Sequence, residues 1–173
     1  MGKKLKIGDP APELKAKSIK GNDFDLKSLE GKKPVVLVFS RYFGCPVCQD
    51  DFDKLLEVKG KIMEKAELVY ITQSSIESAT KFLEKIEDID FTILCDPEKP
   101  YPVYKAFNVG KSSLGTLTKL MKAATQSKKH HGPKEGSETQ SPADIVIDKD
   151  GKLVYMNYSL LNVDALMQAI GTI

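Results

Sequence analysis

The run Val35-Val36-Leu37-Val38-Phe39-Ser40-Arg41-Tyr42-Phe43-Gly44-Cys45-Pro46-Val47-Cys48 decides how this chain folds. Its first five residues are apolar without alternation, the pattern of a strand buried on both faces. Beyond it, Phe52, Leu55, Leu56, Ile62 and Met63 recur close to helical spacing, which predicts an amphipathic helix. Cys45-x-x-Cys48 therefore falls where a buried strand gives way to a helix. A cysteine in the first turn of a helix lies beside unpaired backbone N–H groups and the positive end of the macrodipole, which favour thiolate over thiol. Cys48, three residues on, shares its helix face and is close enough to close a disulfide. Pro46 suits a first turn, where its missing N–H is no loss.

Outward from that junction, strands and helices alternate. Leu14 to Ser18 and Phe24 to Leu26, around Lys20-Gly21-Asn22-Asp23, predict an N-terminal β-hairpin. Leu68 to Thr72 predicts a strand, and the capping box Ser74-x-x-Glu77 opens a helix to about Ile86. Phe91 to Cys95 is a third strand, Val103 to Phe107 a short helix, and Leu117 to Thr125 another helix. The stretch 126–141 is Ser, Gly, Lys, Glu and Pro with almost no apolar residue, and predicts a mobile loop. Two strands around Asp150-Gly151 give a hairpin signal, and Val163 to Ile170 a last helix. The order β-α-β-α-β-α, then β-β-α, demands an α/β fold with a central mixed sheet and helices on both faces.

Composition narrows the function. A chain of 173 residues fits one domain, spanning 1–173, with a core that needs no staples. A formal charge of +2 is too small to argue for nucleic acid, and no stretch is apolar enough to span a membrane. The N-terminal Met1-Gly2-Lys3-Lys4-Leu5-Lys6 has no apolar h-region, and Lys6 stands where a myristoylation site wants Ser or Thr. The expectation is a cytoplasmic protein. Three cysteines, two in one short motif, do not make a secreted disulfide framework; in a reducing compartment such a pair is catalytic or metal-binding.

The element order around a strand–Cys-x-x-Cys–helix resembles the thioredoxin fold. Gly8-Asp9-Pro10-Ala11-Pro12-Glu13 and Ser28-Leu29-x-Gly31 are similar to its alkyl hydroperoxide reductase/thiol-specific antioxidant (peroxiredoxin) branch. Phe39 to Cys48 resembles the peroxiredoxin-like proteins that carry a Cys-x-x-Cys, and Gln140-Ser141-Pro142-Ala143-Asp144 the pre-strand proline segment. The resemblance covers about Ile7 to Ile170. It implies a cis-proline at Pro142 facing the dithiol and presenting the Ser141 backbone as an edge for substrate. One departure stands out: where typical peroxiredoxins place a threonine or serine three residues before the first cysteine and a proline seven before it, this chain has Tyr42 and Val38.

The expected function is thiol–disulfide oxidoreduction. Cys45 attacks and Cys48 resolves, with Arg41 holding the thiolate or a peroxide oxygen. Tyr42, Pro46, Ser141 and Pro142 form the substrate side. An external thiol donor of thioredoxin or glutathione type restores the dithiol, and neither metal nor organic cofactor is required. A thiol peroxidase acting on hydroperoxides with the same cysteines is the alternative enzyme. A non-catalytic binding module using the 126–141 loop is the alternative of another class. Bland readings stand beside these: Cys45 and Cys48 as buried structural thiols, or a zinc site completed by Cys95 with His130 or His131. Arg41 can equally be a solvated strand-end arginine, Cys95 a buried strand-end thiol on the same rim as Cys45, and His130-His131 part of a solvated basic patch.

Overall fold

The computed structural model describes residues 4–173, so the start of the N-terminal run weighed for a leader lies outside the described residues. Strand β1 (Lys15–Lys17) pairs antiparallel with β2 (Asp23–Asp25) as the expected hairpin. The main sheet contains β3 (Val35–Phe39), β4 (Glu67–Thr72), β5 (Thr92–Cys95), β6 (Ala143–Ile147) and β7 (Leu153–Asn157) in the order β5-β4-β3-β6-β7. Here β3, β4 and β5 run parallel, while β6 and β7 are antiparallel additions. The helices are α1 (Pro46–Lys65), α2 (Ile76–Leu83), α3 (Pro102–Ala106), α4 (Leu114–Gln126) and α5 (Val163–Gly171).

Alternation along β3 divides the core. Val35, Leu37 and Phe39 point to one face, against Tyr104 of α3, Phe107 and the hairpin; Val36 and Val38 point to the other, against Phe52, Leu55 and Ile62 of α1 and Leu166 and Ile170 of α5. Because both faces are covered, the central strand reads as continuous hydrophobic sequence. The β6–β7 turn is closed by Asp148, whose Oδ1 accepts the N–H groups of Asp150 and Lys152, and by Gly151 at φ +77°.

Two local expectations shift. The cap of α2 is Ser75, whose Oγ accepts the Ser78 N–H; Ser74 is buried and accepts the Phe43 N–H instead. Helix α4 is longer than Leu117 to Thr125: it starts at Leu114, because Ser113, four residues before the apolar pattern begins, caps it through the Thr116 N–H.

Candidate active site around Cys45 and Cys48

After Phe39 the chain stays pinned to the sheet rim. The Ser40 N–H donates to the Ile71 carbonyl, and the Arg41 carbonyl accepts from the Gln73 N–H at 2.6 Å. The Phe43 N–H then donates to Ser74 Oγ at 2.9 Å, and the Cys45 N–H turns back to the Tyr42 carbonyl. Cys45 is the N-cap of α1, with Pro46 at the first helical position and the first helical bond running from the Gln49 N–H to the Cys45 carbonyl. Its side chain caps nothing, so the sulfur is left to other partners.

That partner is Arg41. Its Nη2 lies 2.8 Å from Cys45 Sγ, and its Nη1 donates to the Glu138 carbonyl at 2.9 Å. Arg41 is only 8% exposed, which removes the solvated strand-end alternative. Its Nε is buried without a hydrogen-bond partner, leaving one donor unspent beside the sulfur. Burial works against the guanidinium, but the charge on Cys48 and Cys45 outweighs it and lifts the Arg41 pKa above its ordinary value.

The two sulfurs titrate as a pair. The hydrogen bond to Cys48, then burial, push the Cys45 thiol up, and Arg41 pulls it down only in part. Burial also pushes Cys48 up, but the hydrogen bond from Cys45, the Arg41 charge and Ser40 reverse this and hold it below an ordinary thiol. The dithiol gives up one proton readily and keeps the second. Tyr42 stays a neutral phenol, pushed to about 12 by burial and by the negative charge of Cys45 and Glu138.

Cys45 is 3% exposed and Cys48 4%, so both sulfurs are buried. The cover is the segment 127–142, irregular as its composition requires but tied along its length. Lys129 pairs with Asp53, the His130 carbonyl accepts from Gln49 Nε2, the Gly132 N–H donates to the Gly44 carbonyl, and the Ser137 N–H donates to Gln73 Oε1. Gly44 and Gly132 approach so closely that a Cβ on Gly44 would collide with the Pro133 carbonyl. Leu120 of α4 closes the remaining side, packed with Tyr42, Cys45, Val47 and Cys48.

The substrate edge expected at Ser141-Pro142 is also corrected. Among the described residues the cis peptide bond is Lys99–Pro100, so the Ser141–Pro142 bond is trans, the default even for X–Pro. The Ser141 N–H already donates to the Gly110 carbonyl, and its Oγ to the Tyr158 carbonyl, so the Ser141 N–H is not free to pair with a substrate strand. Pro142 instead lines a small cavity beneath Cys48. Cys95 does end β5 on the same rim, half-buried, with its thiol pushed up to about 12 by burial and Glu135. Among the described residues no three His, Cys, Asp or Glu side chains gather as metal ligands, so Cys95 and the histidines do not join the dithiol.

Sequence reasoning passed over one group entirely. Asp144, in the middle of β6, is fully buried and lines the cavity under Cys48 together with Ser40, Asp51 and Tyr70. Its Oδ1 accepts from Asn157 Nδ2 at 2.7 Å, while its Oδ2 has no hydrogen-bond partner. The available signal was a lone acid in an otherwise apolar strand, Ala143-Asp144-Ile145-Val146-Ile147.

Known proteins resemble this chain. A Helicobacter pylori (strain ATCC 700392 / 26695) protein that carries the name peroxiredoxin bcp is 29% identical over 130 residues, covering 71% of this chain and 84% of that one. The reduced 2-Cys peroxiredoxin of Plasmodium vivax superposes with a TM-score of 0.71 at 19% identity, covering 95% of this chain and 80% of that chain. A secreted Mycobacterium tuberculosis disulfide oxidoreductase homologous to Escherichia coli DsbE superposes at 0.61 with 20% identity, over 92% of this chain and 96% of that chain. At such identities the two structures share the fold. The AhpC/TSA family model matches residues 7–156, most of the sequence and both cysteines, and the chain belongs to the AhpC/TSA family.

Proposed function

We propose that this thiol-based oxidoreductase reduces a small oxidant at Cys45, a hydroperoxide first of all, and resolves through Cys48. The observation that carries the reading is the unspent Nε donor of Arg41 beside a sulfur that the same guanidinium contacts. A buried N–H without an acceptor is costly, on the order of 1–3 kcal/mol, and an oxygen-bearing substrate would satisfy it. Burial of both sulfurs favours a substrate small enough to pass beneath the 127–142 segment. As Cys45 attacks the outer peroxide oxygen, its proton passes to Cys48 along their hydrogen bond. The O–O bond breaks, and the departing alkoxide takes a proton from solvent. Cys48 then attacks the Cys45 sulfenic acid, releases water and closes the disulfide, which two equivalents of an external thiol reduce.

Disulfide interchange is the second reading, favoured by Tyr42 in place of a hydroxyl residue of the threonine type. There Cys45 displaces a thiolate from a small disulfide and Cys48 resolves in the same way. Either chemistry fits an antioxidant and redox-homeostatic role in the cytoplasm, with a thioredoxin- or glutathione-type donor. Neither asks for a metal or an organic cofactor.

Stopped-flow mixing of reduced protein with hydrogen peroxide and, separately, with glutathione disulfide tests the choice. The expected result is fast, single-turnover consumption of peroxide with one intramolecular disulfide formed. In Cys48→Ser the expected product is a stalled sulfenic acid on Cys45. Faster reaction with the disulfide would reverse the order of the two readings, and reaction with neither would leave a binding module.

A further inference from the structure

The resolving thiol has a problem that the dithiol state hides. Cys48 is held low largely by the hydrogen bond it receives from Cys45. Once Cys45 is oxidised, as a sulfenic acid or a mixed disulfide, it no longer has an S–H to give. Burial, the largest influence on Cys48, is then opposed only by the Arg41 charge and the hydrogen bonds of Ser40 and the Arg41 backbone, and the thiol must lose its proton in a buried place.

The cavity beneath Cys48 holds the one group equipped to take it. About 20 Å³ in volume, it has room for a single water and is lined by Cys48, Asp51, Tyr70 and Asp144 among others. Asp51 is committed: it pairs with Lys54 and accepts the Leu161 N–H. Tyr70 is a phenol that burial drives far up. Asp144 alone brings a carboxylate oxygen without a partner. The Tyr155 hydroxyl and the Asn162 N–H approach closely enough to lower the carboxyl's pKa, but no hydrogen bond of normal geometry reaches Oδ2.

We infer that Asp144 is the internal proton acceptor for Cys48. It takes the Cys48 proton through one water in the cavity as that sulfur attacks oxidised Cys45, and the expelled hydroxide or thiolate takes a proton from solvent. It returns the proton when a donor thiolate attacks Cys45 and Cys48 leaves. The inference rests on the resolution step proposed above. Around the cavity stand Cys48 and Asp51 from α1, Tyr70 from β4, Val38 of β3 with Ser40 beyond it, and Asn157 and Tyr155 from β7 beside the carboxyl. The cations that act on these groups are already paired, Lys54 with Asp51 and Arg41 with Cys45 Sγ and the Glu138 carbonyl. Burial, with Asp51 adding repulsion, sets its pKa at about 7, where a carboxyl both accepts and releases a proton in neutral solution.

Asp144→Asn keeps the shape and removes the base. Reduced wild type and variant are mixed with one equivalent of hydrogen peroxide, or of glutathione disulfide, across pH 5.5 to 8.5. Each is then quenched and read for oxidised Cys45 and for the closed disulfide by alkylation and intact mass, over a range about 1.5 pH units either side of neutrality. Oxidation of Cys45 should be unchanged. Closure at pH 7 should slow by about 100-fold, and its rate in the variant should climb with pH where the wild type levels off. A variant that closes at the wild-type rate with the wild-type profile overturns the inference alone. A wild type whose Cys45 reacts with neither oxidant removes the functional reading and this one together. Should the variant not fold, carboxyl ¹³C NMR of the unmodified protein decides. The Asp144 titration must move between the dithiol and the diamide-made disulfide, and an identical titration in both states refutes the role.

Discussion

Arg41 brings a positive charge to within 2.8 Å of Cys45 Sγ at a position water barely reaches. A hydrogen bond to a charged group in such a place contributes about 1.5–3 kcal/mol. Arg41→Ala should therefore slow alkylation of the dithiol at pH 7 by about 10- to 100-fold and move its pH profile upward, because the single thiolate loses its counter-charge. Arg41→Lys keeps the charge but not the fork that spans Cys45 and the Glu138 carbonyl, so it should fall between the two. Unchanged alkylation in Arg41→Ala would reduce Arg41 to a strap for the covering segment. The sequence placed Arg41 on the right strand end, since the distance from Phe39 to Cys45 is short and local. It could not say whether the side chain turned inward, because the Glu138 carbonyl that receives it comes from 97 residues away.

At the scale of elements, what was legible and what was not divide by range. The sheet followed from unbroken apolar runs such as Val35–Phe39 and from the Asp150-Gly151 turn, each readable within a few residues. The cover over the dithiol was not readable. Its contacts join residues such as Gly44 with Gly132 and Gln73 with Ser137, and its polar composition argues only against regular structure. The same limit misplaced the α2 cap: Ser74 and Ser75 are equivalent locally, and a backbone N–H from Phe43 decided between them. Gly44→Ala tests the cover. The added methyl would collide with the Pro133 carbonyl, so the segment must shift, at a cost of about 1–3 kcal/mol. Amide exchange at Gly132 should accelerate, and a bulky maleimide should reach Cys45 faster than in wild type. Equal maleimide rates would mean that the 127–142 segment does not limit access.

At the scale of the whole molecule, the buried Asp144 sets a trade between stability and chemistry. Its carboxyl is raised by burial from 3.8 to about 7, so between those values the folded chain keeps a proton that the unfolded chain has released. With more protons bound in the folded state, stability falls as pH climbs through that window and levels off above about 7. A shift of this size corresponds to on the order of 4 kcal/mol at alkaline pH, a large share of the stability of a domain this size. Asp51 and Asp96 are raised by burial as well and push in the same direction, so the slope of the wild type alone does not isolate Asp144. The difference between wild type and Asp144→Asn does. Urea midpoints should show the variant gaining on the wild type from pH 5 to pH 8 by a few kcal/mol, since only the wild type must ionise or hold off a carboxyl in that range. Parallel midpoints across the range would mean that Asp144 titrates like an ordinary carboxylate, and its claim to exchange a proton with Cys48 near neutrality would go with it. A gain in stability together with slowed closure of the disulfide would be the signature of a destabilising acid kept for its proton.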